Sequence, residues 1–132
     1  MEGGQTNEFR PLTLVAKADD SNFKLIKAII GKKCDIQWAK NGEEIVALFK
    51  EYGKEAKAIL MDIKMPVMNG LDATKIIREE NKEIPIIMQT AYAFSSDKEN
   101  AMNAGASEVL VKPITLSILR GTLTKYFPEL VW

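Results

Sequence analysis

Five short apolar runs punctuate the chain, and each leads into a stretch with helical spacing. "LTLVAKA" (12–18), "CDIQWA" (34–39), "AKAILM" (56–61), "IPIIMQT" (84–90) and "EVLV" (108–111) read as strands. Runs this short, bounded by turn residues, suit strands better than helices. The third is nearly all apolar, as a strand covered on both faces should be. "SNFKLIKAII" (21–30) puts Leu25, Ile26, Ile29 and Ile30 on one helical face, with Ser21 as N-cap and Gly31 as its stop. "NGEEIVALFKEYG" (41–53) does the same with Ile45, Leu48, Phe49 and Tyr52. "LDATKIIREEN" (71–81), the weaker "SSDKENAMNAG" (95–105) and "TLSILRGTLTKYF" (115–127) complete the helices. Strict alternation of this kind predicts an α/β fold with a parallel sheet and right-handed crossovers. The 132 residues suit one domain. It is expected over 12–127, after a loose lead-in (1–11) and before a short tail (128–132).

In open sheets of this class, ligands sit beyond the carboxyl ends of the strands. "KADD" (17–20) lies at the end of the first strand, Asp62 at the third, Thr90 at the fourth and Lys112-Pro113 at the fifth. An acid after a strand is most often a helix N-cap or a solvated loop residue. Here the next helix is expected near Leu71, too far for Asp62 to cap it. "MPVMNG" (65–70) between them is turn chemistry: Pro66 fixes φ, and Asn69-Gly70 is expected to supply left-handed backbone. That leaves Asp62 facing outward. An ionised carboxylate is a nucleophile that can accept a phosphoryl group. The transferred charge must then be neutralised, usually by magnesium and an ammonium. Lys112 and the acids near residue 19 could supply both. Read bluntly, Lys112 is a surface lysine before a turn and Thr90 a β-branched strand residue; read together with Asp62, they line one rim.

Composition removes several alternatives. The chain has no histidine, so it holds no Ser-His-Asp or Cys-His site, no His-ligated zinc and no phosphohistidine of its own. The single Cys34 cannot form an internal disulfide and reads as a small buried hydrophobe. Lys plus Arg equals Asp plus Glu at 18 each, so no global field draws nucleic acid or an anionic membrane. No run approaches the roughly 18 apolar residues of a membrane span. A Gly-rich dinucleotide fingerprint is missing. An aspartyl-phosphate hydrolase would need a second Asp at position 64, where Lys64 stands. A flavin binder shares only the fold class, and fold alone does not carry function.

"LMDIKMPVMNG", "IPIIMQTAYA" and "AGASEVLVKPI" together resemble the response-regulator receiver domain of two-component signalling, over about residues 12–127. With "NFKLIKAII" and "WAKNGEE", the pattern is most similar to receivers of hybrid sensor kinases. The resemblance implies a flavodoxin-like (βα)5 fold with strand order 2-1-3-4-5 and helices on both faces. It implies a phosphorelay switch rather than a turnover enzyme, cytoplasmic or the cytoplasmic part of a membrane-bound hybrid kinase. Asp62 would accept phosphoryl from a phosphohistidine on a sensor kinase or histidine phosphotransfer domain. Thr90 and Lys112 would bind the phosphoryl oxygens, and the Lys64 backbone carbonyl would help coordinate Mg²⁺ with Asp62 and the acids Asp19 and Asp20. Capture of the phosphoryl charge would reshape the surface formed by the fourth helix, fifth strand and fifth helix. No direct nucleic-acid or membrane contact is expected, and the chain would be a monomer or a phosphorylation-linked dimer.

Two positions depart from the pattern. Aligned without gaps from "NFKLI", the family's adjacent metal-binding acids fall on Lys17 and Ala18; a two-residue slip would restore them as Asp19-Asp20. If Lys17 stands in the acid's place, its ammonium neutralises Asp62 and Mg²⁺ affinity falls or vanishes, because hard cations want clustered carboxylates. The chain would then be a degenerate receiver acting as a phosphorylation-independent interaction module. Val109 replaces the family's switch aromatic, so coupling by a rotating ring is lost or moved to Tyr92 or Phe94.

Overall fold

The computed structural model describes residues 9–91 and 96–132. Its strands are β1 (Leu12–Ala16), β2 (Asp35–Ala39), β3 (Ala56–Asp62), β4 (Ile86–Thr90) and β5 (Glu108–Val111). Its helices are α1 (Asp20–Ile30), α2 (Gly42–Tyr52), α3 (Gly70–Glu80), α4 (Asp97–Ala104) and α5 (Leu116–Tyr126). The strands form one all-parallel sheet in the order β2-β1-β3-β4-β5. Every carboxyl end therefore faces the same rim, and the order reverses between β1 and β3. That is where a crevice opens in a doubly wound sheet.

Alternate residues of the strands feed two cores. Leu14, Ile59, Met61, Ile86 and Met88 pack with Ile45, Phe49 and Ile77 beneath α2 and α3. Val15, Ala58, Leu60 and Ile87 pack with Ile26, Ile29, Ile30, Leu119 and Leu123 beneath α1 and α5. This is the period of two expected of a strand. Each fully buried Leu or Ile contributes roughly 1.5–3 kcal/mol. Leu25 is 51% exposed, so the inward stripe of α1 is Ile26, Ile29 and Ile30, with Phe23 packed partly against the same core. Cys34 is buried, and burial raises its thiol pKa.

Side-chain caps set most helix starts. Asp19, not Ser21, caps α1 by accepting from Ser21 N at 2.8 Å. Asn41, Asn69 and Thr115 cap α2, α3 and α5 in the same way. The tail beyond α5 folds back: Leu130 is buried in the second core, and Trp132 Nε1 donates to Thr124 Oγ1 at 3.1 Å.

The loop after β3 is built differently from the sequence expectation. Asn69 and Gly70 do not supply left-handed backbone: Asn69 has φ −76° and caps α3, and Gly70 is the first helical residue. Among the described non-glycine residues, the left-handed one is Val67, with φ 70°. Its β-branched side chain makes that conformation costly. Gly70 has a separate reason to lack a side chain. A Cβ there would lie 2.2 Å from the Asp62 carbonyl oxygen, a backbone atom that cannot swing aside. Gly70→Ala is therefore expected to lower unfolding free energy by roughly 1–3 kcal/mol. Urea denaturation of the variant checks this, and an unchanged midpoint would contradict the close packing of α3 on the Asp62 strand.

Candidate functional site

β3 ends on Asp62 because its last turn of chain is gripped from both sides. Ile63 N donates to Gln89 O at 3.1 Å, and Gly70 N to Ile63 O at 2.7 Å. The carboxylate is buried at the rim, between the ends of β1, β4 and β5. Two ammonium groups reach the same oxygen. Lys17 Nζ lies 2.9 Å from Asp62 Oδ1, and Lys112 Nζ lies 3.0 Å from it. The Lys112-Pro113 peptide bond is cis.

Lys17 stands immediately after β1, where the ladder still holds its backbone: Lys17 N donates to Ala39 O at 3.0 Å. Its own carbonyl accepts from Trp38 Nε1 at 2.9 Å, and Trp38 stacks on Phe23. The side chain is directed inward and is only 1% exposed. A buried ammonium is costly unless paired. Lys17 pairs with Asp62 and also donates to Gln89 Oε1. Burial pushes its pKa below the ordinary lysine value, Asp62 pulls it back up, and nearby Lys112 pushes it slightly down again.

Gln89, which the sequence alone does not single out, completes this network. A glutamine inside the apolar run "IPIIMQT" is the signal that could have found it. Because its oxygen must face the Lys17 donor, its Nε2 is fixed as the remaining donor. Nε2 is buried and has no hydrogen-bond partner among the described residues.

The expected metal donors are arranged otherwise. Asp19 spends its carboxylate on Ser21 N and Asn22 Nδ2, as the cap of α1. Asp20 is exposed in the first turn of α1, with Lys40 Nζ at 4.0 Å. Ala18 is exposed and brings no donor. Lys17 and Ala18 thus directly follow β1, where the gap-free alignment puts the acidic pair. Among the described residues no three His, Cys, Asp or Glu side chains converge on one point. The residues at this rim do not fit Mg²⁺: a hard cation needs clustered oxygen anions, and an ammonium already sits on Asp62. Lys64 lines the cleft beside Asp62 together with Thr90 and Lys112.

Thr90 ends β4 and is buried; its Oγ1 donates to Asp97 Oδ2 at 3.1 Å. The hydroxyl thereby ties β4 to the first turn of α4. Val109 is partly buried against the first core. Tyr92 and Phe94, the alternative switch aromatics, lie outside the described residues.

Comparison with known proteins matches this arrangement to a family. The model of the response regulator receiver domain matches residues 14–124. Hybrid signal transduction histidine kinase I of Dictyostelium discoideum is 40% identical over 128 residues, covering 88% of this chain and 7% of the relative. The signal transduction histidine-protein kinase BarA of Escherichia coli K12 is 33% identical over 128 residues, covering 93% of this chain and 14% of that protein. The chain thus spans a small fraction of these relatives. Among solved structures, the receiver domain of the sensor histidine kinase PA1611 from Pseudomonas aeruginosa, with magnesium coordinated in its cleft, aligns with a TM-score of 0.83. It is 28% identical, over 90% of this chain and 98% of that one. The receiver domain of Ssk1, solved with the histidine phosphotransfer protein Ypd1 of Saccharomyces cerevisiae, aligns with a TM-score of 0.81. Its identity is 28%, over 89% of this chain and 88% of that one. No helix among the described residues is long and apolar enough to cross a membrane. With strand order, rim and sequence in agreement, the chain belongs to the response regulator receiver domain family.

Proposed function

We propose that this receiver domain is a phosphorylation-independent interaction module of a phosphorelay, whose Asp62 is neutralised by Lys17 in place of a metal ion. The observation that carries the reading is the buried Lys17–Asp62 contact of 2.9 Å. Two ammonium groups on one carboxylate oxygen lower its electron density and occupy its approach. With both contacts on Oδ1, attack on phosphorus would fall to Oδ2, from which the two ammonium groups also draw charge. The site carries one negative and two positive charges before any ligand arrives, so it opposes a divalent cation. The module does no chemical turnover. Its partner is a sensor histidine kinase or a histidine phosphotransfer domain, the kind of protein that Ssk1's receiver is solved with. It acts as a monomer, in the cytoplasm or as the cytoplasmic part of a longer kinase.

A second reading has its own support, because Lys112 and Thr90 still flank Asp62. In it, Asp62 attacks the phosphorus of a phosphohistidine, the P–N bond breaks, and the imidazole leaves. Lys17 then neutralises the transferred charge without a metal. Acetyl phosphate labelling followed by intact-mass analysis separates the readings. The first expects no adduct on this protein under conditions that label a control receiver. The second expects an Asp62 adduct that forms equally with Mg²⁺ and with chelator. An adduct that requires Mg²⁺ would overturn both.

The ion pair also predicts the sign of a stability change. Asp62→Asn leaves Lys17 buried beside Lys112 with no counter-charge, and should destabilise by about 3 kcal/mol. At a rim lined by carboxylates the same change would relieve repulsion and stabilise. Urea denaturation at neutral pH reads the sign directly.

A further inference from the structure

Beside the Asp62 cleft, and sharing Gln89 and Lys112 with it, lies a second cavity of about 170 Å³ between α1 and the turn that follows β5. Lys17, Asn22, Gln89 and Lys112 supply its polar wall, and Leu25, Ile26, Pro113 and Ile114 its apolar one. No carboxylate lines it. We propose that this cavity binds a small organic monocarboxylate, an anionic head on a short hydrocarbon stub.

Three observations point to that chemistry. Lys17, Lys112 and Asp62 together carry one uncompensated positive charge, which a single anion would balance. Gln89 Nε2 is a buried N–H donor lacking an acceptor among the described residues, and an unmet buried donor costs roughly 1–3 kcal/mol. Gln89 lines the cavity and is only 1% exposed. A carboxylate offers two acceptor oxygens, enough for an ammonium and an amide together. The four apolar residues then select a hydrocarbon stub over the all-polar surface of inorganic phosphate. The site exists only because a lysine follows β1; an acid in that position would repel the same ligand. It depends on the positions of Lys17, Lys112 and Gln89 and not on whether Asp62 can be labelled, so the two proposals fail separately.

Titration of the isotope-labelled protein with sodium propionate, followed by backbone and methyl NMR, tests the proposal. Saturable shifts are expected at Leu25, Ile26 and Ile114, absent with sodium chloride at equal ionic strength and weaker with phosphate. Asn22→Asp puts a carboxylate on the wall of the cavity and should weaken propionate by roughly tenfold, about 1.4 kcal/mol. Asn22 Nδ2 also donates to the α1 cap Asp19, so Asn22→Ala, which loses that bond without adding a charge, is the control and should keep propionate binding. Lys17→Met should abolish the saturable shifts. Shifts that do not saturate, that chloride or phosphate reproduces equally, or that survive Asn22→Asp unchanged would overturn the site.

Discussion

The rim of this domain is organised by a buried ammonium. Lys17 has almost no contact with water, and its charge is tolerable because Asp62 and Gln89 accept from it. Remove Asp62 and the group becomes a buried cation without a counter-charge, which an interior cannot accommodate cheaply. The three residues come from β3, β4 and the end of β1, so the interaction fastens the central strands at their carboxyl ends. A metal held by several carboxylates would fasten the same place. Here the cation beside Asp62 is the Lys17 ammonium, covalently part of the chain.

That difference propagates outward. A removable cation allows a site to alternate between charge states, whereas a resident one fixes it. Thr90, the hydroxyl on the other flank, donates to Asp97 at the start of α4. Val109 brings no ring that could follow a movement of Thr90. The two cores beneath α2–α3 and α1–α5 hold the helices in place against the sheet.

Much of this was legible from residue order. The apolar runs located all five strands: β1, β3 and β4 are covered on both faces and leave a nearly continuous hydrophobic trace, whereas the edge strands β2 and β5, only partly buried, show as short apolar runs between turns. Asp62, Thr90 and Lys112 were found as a group because a parallel sheet must bring its strand ends to one rim. The details that escaped depend on side-chain direction. Whether Lys17 points inward, and whether Asp19 is free or spent on a cap, turns on where β1 stops, and local propensity leaves that open by a residue or two. Gln89 passed as an ordinary strand residue because its value lies in a partner 72 positions away. The Asn69-Gly70 pair suggested left-handed backbone, but a cap and a tight helix approach used both residues, and the strain fell on Val67.

Lys17 stands where the gap-free alignment puts a metal-binding acid, with its ammonium on Asp62. Calorimetric titration with MgCl₂ of the wild-type protein and of the double variant Lys17→Asp, Ala18→Asp tests that replacement most directly. No saturable Mg²⁺ binding by the wild type is expected at millimolar concentrations, and saturable binding is expected once the two acids follow β1. Saturable Mg²⁺ binding by the wild type, with no gain in the variant, would contradict it.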